Sequence, residues 1–233
     1  MLSMIVVAAG QGERMGAGIN KVRLPLAGEP LLCRCLERLH ACKLIDEFIL
    51  VAHDDDLDYW NDLQIQQRFP RLSSIVCGGD TRTASVSAGL SAVSPLADWV
   101  AIHDAARPLI RVEDLERLFA AREGALAAIL ALPVLDTLKR SEPGGKGQRI
   151  KETLPRDDLW LAQTPQLFAA GVLREAYACI PAGISFGDDA ALVEAMGIPV
   201  QLVPGNPQNL KITLPEHLLL AEQIWASQER EDH

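Results

Sequence analysis

An open α/β fold, with a mostly parallel sheet flanked by helices and one extended β-hairpin arm, is what this chain of 233 residues predicts. Three observations carry it. Short apolar runs rich in Val and Ile recur along the chain, segments of helical period lie between them, and the stretch 133–160 breaks that alternation.

The runs at 4–9, 48–52, 74–77, 99–103 and 127–132 are too short for most helices and are bounded by Gly, Asp or Pro. They predict parallel strands buried on both faces. The first runs from Met4 through Ala9 directly into a glycine-rich loop, with no basic leader and no cleavage site before it, so it is expected to be a strand and not a signal. Helix-period segments follow each of the first four strands, at 30–41, 56–68, 82–93 and 112–122, and later ones lie at 170–179, 188–196 and 215–228. Within 133–160, two polar flanks surround Pro143-Gly144-Gly145-Lys146-Gly147, the signature of a hairpin. An excursion of that length inside a compact domain is a lid, a binding loop or an oligomerisation arm, or else a solvated surface loop.

Composition bounds the partners. With 48% hydrophobic residues, the chain can bury one sizeable core, and a single domain over 1–233 is expected. Lys and Arg number 22 against 31 Asp and Glu, a net charge of −9, which argues against nucleic acid and anionic membranes as partners. The longest apolar stretch, 125–135, is far below the roughly 18 to 20 residues that span a bilayer. Five unevenly spaced cysteines point to reduced thiols and a cytoplasmic protein. Cys33 and Cys35 with His40 make no metal site, because on a helix the two thiols point in divergent directions.

Open α/β sheets bind ligands beyond the carboxyl ends of their strands. After the first strand comes Ala8-Ala9-Gly10-Gln11-Gly12-Glu13-Arg14-Met15, whose glycines let backbone N–H groups approach a phosphate. A dinucleotide fingerprint fails, since Met15 stands where a third glycine belongs and no acid follows about 20 residues on; a P-loop fails because Lys21 lies between Asn20 and Val22. Two cations, Arg14 and Lys21, remain beside convergent donors, which suits a triphosphate; the same residues also fit a structural turn with surface charges. Asp80 could equally cap the helix that follows it. A hydrolase triad of Ser85, His103 and Asp104 is disfavoured, because no serine sits in a Gly-x-Ser-x-Gly elbow.

Seven motifs in order, Gly10-x-Gly12-x-Arg14-Met15 with Lys21, Gly78-Gly79-Asp80-Thr81-Arg82-Thr83-Ala84-Ser85-Val86, His103-Asp104-Ala105-Ala106-Arg107-Pro108, 132–139, Gln163-Thr164-Pro165-Gln166, Asp188-Asp189-Ala190 and Asn209-Leu210-Lys211-Ile212-Thr213, closely resemble those of the 2-C-methyl-D-erythritol 4-phosphate cytidylyltransferases. The resemblance implies a Rossmann-like sheet of the nucleotide-diphospho-sugar transferase type and a reaction joining CTP to an alcohol phosphate, with release of pyrophosphate, in isoprenoid precursor synthesis. By it, the backbone at Ala8, Ala9, Gly10 and Gly12 and the side chains of Arg14 and Lys21 hold the triphosphate, the last two as catalytic cations. Gly79, Asp80 and Ser85 form the cytosine pocket, with Arg82 beside it. Asp104 and Ala105 meet the polyol hydroxyls, Arg107 its phosphate, and Thr164, Asp188 and Lys211 complete the substrate pocket. Thr137 and Arg156 lie on an arm exchanged within a homodimer. Mg²⁺ is expected mainly on the CTP phosphates, with Asp104 a candidate ligand.

Two departures from the family pattern are visible. Asn20-Lys21-Val22-Arg23 replaces a Pro-Lys-Gln-Tyr type of segment, which loosens the approach to Lys21, and Gly187 replaces a threonine that would contact the substrate phosphate. The second departure keeps open a sister activity on another polyol phosphate, such as ribitol 5-phosphate; a non-catalytic nucleotide-binding module is the remaining alternative. Since both substrates are polyanions, the −9 charge predicts a basic cleft in an acidic protein.

Overall fold

The computed structural model describes residues 1–10, 20–144, 147–180 and 186–231. Its β-strands in chain order are β1 (Leu2–Val7), β2 (Pro25–Leu26), β3 (Glu29–Pro30), β4 (Glu47–Ala52), β5 (Leu72–Cys77), β6 (Trp99–Asp104), β7 (Ala127–Pro133), β8 (Leu138–Gly144), β9 (Gly147–Leu154), β10 (Trp160–Ala169) and β11 (Gln201–Pro204). The helices are α1 (Leu31–Ala41), α2 (Leu57–Asp62), α3 (Ile65–Arg68), α4 (Arg82–Ala92), α5 (Val112–Ala120), α6 (Ala170–Ala178), α7 (Asp189–Glu194) and α8 (Pro215–Glu231). A seven-stranded sheet runs in the order β11-β7-β10-β6-β1-β4-β5. β4 and β6 pair in parallel with β1 on its two sides, β5 pairs in parallel with β4, and β11 is parallel to β7.

Alternation along β1 shows why its sequence is continuously apolar. Met4 and Val6 face one layer, with Leu36 of α1 and Leu118 of α5, while Ile5 faces the other, with Val86 of α4 and Leu173 of α6. Both layers are fully buried at β1. Helix α4 comes close to the sheet because Gly89 has no side chain: an added Cβ would stand 2.7 Å from Ile5 Cγ2 and 2.8 Å from Val51 Cγ2.

Three expectations are corrected. The helix expected over 56–68 is two short helices, α2 and α3, broken where Gln64 takes φ +51°, a left-handed turn inside the helical pattern. Strands β10 and β11 were not expected. The first of these lies antiparallel between β6 and β7, with a shift of register between Ala162 and Gln166. Its middle reads Gln163-Thr164-Pro165-Gln166, polar residues that hide the strand pattern and that are nonetheless buried. The hairpin forms as expected, β8 against β9. It stands clear of the core, held by cross-strand pairs such as Arg140 Nε to Glu152 Oε1 at 2.5 Å, and Leu135 at its base and Ile150 on it are 78% and 65% exposed.

Candidate active site

The carboxyl ends of β1, β4, β5 and β6 open onto one cavity of about 710 Å³. Of the residues expected there, Ala8, Ala9, Gly10, Lys21, Gly79, Asp80, Arg82, Ser85, Asp104 and Lys211 line it. Gly12 and Arg14 lie outside the described residues.

Beyond β1 the chain leaves the sheet but stays tied to it, with the Ala8 N–H donating to Val51 O at 2.7 Å. Lys21 begins a short 3-10 turn, Lys21–Arg23, capped by Asn20, whose Oδ1 accepts the Val22 N–H at 3.3 Å. Opposite, Gly78 passes so close to Ala9 that a Cβ there would collide with it. The Gly79 N–H donates to Ser85 Oγ, and that hydroxyl donates back to Gly79 O, both at 3.2 Å, which folds the glycine loop over the start of α4. The helix cap is Thr81, not Asp80: the Ala84 N–H donates to Thr81 Oγ1 at 3.0 Å, leaving Asp80 exposed at the cavity.

At the end of β6, charges are chained together. Asp104 Oδ2 accepts from Lys211 Nζ at 2.6 Å, and Asp104 Oδ1 lies 3.5 Å from Arg82 Nη2. Arg82 reaches on to Asp189 Oδ2 at 2.8 Å, and Tyr177 donates its hydroxyl to Asp189 Oδ1 at 2.5 Å. Burial alone would raise the Asp104 carboxyl, but Lys211, Arg82 and Arg107 outweigh it and hold it down to about 2. It is an anion across the working pH range. Both its oxygens face cations, and among the described residues no group of three His, Cys, Asp or Glu side chains converges to hold a metal. In this arrangement the Asp104 carboxylate is engaged by Lys211 and Arg82.

A second chain fixes the 103–107 loop. Arg107 O can only accept, so His103 Nε2 donates to it at 3.1 Å; His103 Nδ1 then accepts from the Thr164 hydroxyl at 3.2 Å, and Thr164 Oγ1 accepts the Asp104 N–H at 3.0 Å. Every hydrogen in that chain has one possible direction. Thr164, 5% exposed, thus stands behind Asp104 with its hydroxyl engaged rather than in the cavity wall. Burial lowers His103 from 6.5 to about 4, and protonation would put a second donor against the Thr164 hydroxyl. Because the folded value lies below the unfolded one, this contribution to stability is whole above pH 6.5 and is lost as pH falls through about 4. The expected loss is about 3 kcal/mol by the size of the shift. Denaturant midpoints measured at pH 7 and pH 4 should show it, and His103→Gln should remove most of the difference.

Other expected residues sit nearby without lining the cavity. Ala105 is fully buried, with its N–H donating to Val7 O, and Arg107 donates Nη1 to Asn209 O at 2.8 Å. Asp188 caps α7: Oδ1 accepts the Ala191 N–H at 2.9 Å and Oδ2 accepts Gln166 Nε2 at 2.8 Å. Thr137 and Arg156 are exposed at the base of the arm, where Arg156 Nη1 donates to Leu135 O, and neither lines the cavity of its own chain. His53, Asp54, Cys77 and Thr213 line the cavity but were not expected. The first three directly follow or end β4 and β5, so the strand-end rule that pointed to Asp104 was a sufficient signal for them. Asp189 lay in the Asp188-Asp189-Ala190 motif without an assigned role, and Tyr177 had no signal of either kind. Among the described residues the lining sets Lys21, Arg82 and Lys211 against Asp54, Asp80 and Asp104, and Arg14, counted in the expected basic cleft, lies outside those residues.

A family model described as 2-C-methyl-D-erythritol 4-phosphate cytidylyltransferase matches residues 2–227. The protein of that name from Symbiobacterium thermophilum is 40% identical over 231 residues, 99% of this chain and 95% of that one. Its namesake from Dechloromonas aromatica is 42% identical over 224 residues, 94% and 95% of the two chains. The crystal structure of 4-diphosphocytidyl-2C-methyl-D-erythritol synthase from Anaerococcus prevotii matches with a TM-score of 0.84 at 29% identity, covering 97% of this chain and 98% of that one. The crystal structure of the Thermus thermophilus cytidylyltransferase matches with 0.76 at 32%, covering 96% and 98%. Motifs, sheet order and end-to-end likeness agree, and the chain belongs to the 2-C-methyl-D-erythritol 4-phosphate cytidylyltransferase family.

Proposed function

We propose that the chain transfers the cytidylyl group of CTP to 2-C-methyl-D-erythritol 4-phosphate, giving 4-diphosphocytidyl-2-C-methyl-D-erythritol and pyrophosphate for isoprenoid precursor synthesis. The observation that carries the reading, beside family membership, is the convergence of Lys21, Arg82 and Lys211, from three distant parts of the chain, on one cavity at the strand ends. A phosphate oxygen of the alcohol phosphate attacks the α-phosphorus; that O–P bond forms as the bond to the pyrophosphate oxygen breaks. The nucleophile is already ionised, so no free base is required. The protein supplies alignment and charge neutralisation. Arg14 and Lys21 hold the triphosphate against the backbone of Ala8 to Gly12, and negative charge building on the phosphoryl oxygens makes them worth more in the transition state than before it. Lys211, held by Asp104, faces the polyol phosphate. Mg²⁺ enters as part of the MgCTP substrate, on the triphosphate oxygens, and there neutralises the departing pyrophosphate.

Thr137 and Arg156 do not line their own cavity, while Leu135, Ile150 and Leu161 beside them are exposed apolar groups. We infer a homodimer in which each arm completes the partner's site. Free buried thiols at Cys33, Cys35 and Cys42 support a cytoplasmic location.

Gly187 is the observation that favours a second reading. A Cβ there would meet nothing within 4 Å of the described residues, so there is room for the threonine hydroxyl that this chain lacks. Pyrophosphate release should be measured with CTP, Mg²⁺ and each of 2-C-methyl-D-erythritol 4-phosphate and ribitol 5-phosphate. Turnover with the first alone is expected. Turnover with ribitol phosphate instead reassigns the alcohol pocket, and CTP binding without turnover on either substrate makes the chain a nucleotide-binding module.

A further inference from the structure

Lys21 sits in a segment of four residues whose neighbours on both sides are tied to one buried acid. Asp56 ends the 3-10 turn Asp54–Asp56 that leads into α2, and it is 3% exposed. Its Oδ2 accepts from Asn20 Nδ2 at 2.7 Å, and its Oδ1 accepts from Arg23 Nη1 at 3.2 Å. These are the residues immediately before and two places after Lys21. Each is fixed a second time. Asn20 Nδ2 also donates to Ala8 O at 3.2 Å, joining the turn to the loop that leaves β1. The guanidinium of Arg23 lies 4.0 Å from the centroid of the Tyr59 ring, which in turn packs edge-on against the fully buried Trp60. Between the two, Val22 is 1% exposed and acts as a pin into the core below.

We propose that Asp56 is a positioning residue for Lys21, acting as a clasp on Asn20 and Arg23 that sets where the Lys21 side chain enters the cavity. The inference rests on the reading of Lys21 as a triphosphate-binding cation. Its physical basis is the arrangement of charges and constraints. A carboxylate removed from water holds its place only if it is paired, and here the pair and the second donor both belong to the turn that carries Lys21. Removing one acid therefore loosens both ends of that turn at once, leaving each with only its second tie, Asn20 to Ala8 O and Arg23 to the Tyr59 ring. Asn20 has φ −60°, the value that a proline ring imposes, and a ψ of 131° that proline allows, so the clasp does for φ by hydrogen bonding what a proline in that position does covalently.

Three measurements test this. Asp56→Asn, which preserves the side-chain volume, should lower kcat/KM for CTP by about tenfold or more, the scale set by small misplacements of a catalytic group. In a Lys21→Ala background the same substitution should cost less than about twofold, because the group being positioned is already gone. Equal losses in both backgrounds would show that Asp56 serves general stability and would overturn the assignment. Amide exchange at Val22 and Arg23 should accelerate in Asp56→Asn, and unchanged exchange would also overturn it, whatever Lys21 does. The double variant Asn20→Pro with Asp56→Asn should regain most of the lost kcat/KM, since proline restores φ without the acid; no regain would count against action through the turn. Should Lys21→Ala alone leave turnover unchanged, the reading of Lys21 fails, and the exchange experiment still decides whether Asp56 holds the turn.

Discussion

Lys21→Ala is expected to reduce kcat/KM for pyrophosphate release by about two to three powers of ten, the range for removing one preorganised electrostatic donor from a transition state. That corresponds to about 3 to 4 kcal/mol of barrier. The reasoning is local. Lys21 lines the cavity from a turn capped by Asn20 and anchored by buried Val22, so its ammonium is delivered by a framework that survives the substitution. The loss should therefore appear in turnover, with the denaturation midpoint little changed. Lys21→Arg keeps the charge but moves it onto a longer planar group that cannot occupy the same point, so it should recover only part of the rate. Steady-state kinetics with CTP varied at saturating alcohol phosphate provide the measurement. An unaltered kcat/KM in Lys21→Ala would remove the residue from the mechanism.

The second large effect concerns the arm. Arg156→Ala should lower turnover by at least about tenfold, as expected when a charge-assisted contact to a phosphate is lost. Lys21→Ala and Arg156→Ala chains, each nearly inactive, should complement each other when co-expressed. In a mixed dimer with exchanged arms, one site combines the intact cavity of the Arg156→Ala chain with the intact arm of the Lys21→Ala chain, and the other site carries both lesions. Random pairing of equal amounts makes half the dimers mixed, so about a quarter of all sites, and about a quarter of wild-type activity, should return. Activity no greater than the sum of the two separate variants would mean that each arm serves its own cavity. A sedimentation mass of one chain would exclude the exchange altogether.

Much of the fold was legible because its signal is local. A strand buried on both faces must be apolar throughout, and β1, β4, β6 and β7 announce themselves that way. Where polar groups are buried by partners distant in sequence, that signal vanishes. Strand β10 reads as a polar segment because Gln163, Thr164 and Gln166 are satisfied by Asn206, His103 and Asp188, none of which is adjacent to it. The break at Gln64 likewise leaves the apolar period intact while reversing the backbone.

The site divides along the same line. Strand-end position and the order of the motifs marked Lys21, Asp80, Arg82, Ser85, Asp104 and Lys211, because the carboxyl ends of parallel strands must converge whatever the details of packing. What those residues do to each other was not legible. That Asp104 is an anion spoken for by Lys211 and Arg82, that Thr164 is turned toward His103, and that the segment around Lys21 is clasped by Asp56 are facts about distances between side chains 22 to 107 places apart. The order of most elements and the strand-end cavity follow from local pattern, and the reaction class follows from the resemblance of seven motifs in order to those of a known family. Charge pairing, proton direction and the rigidity of the cations follow from tertiary packing alone, because a buried polar group takes its partner from space and not from its neighbours in the chain.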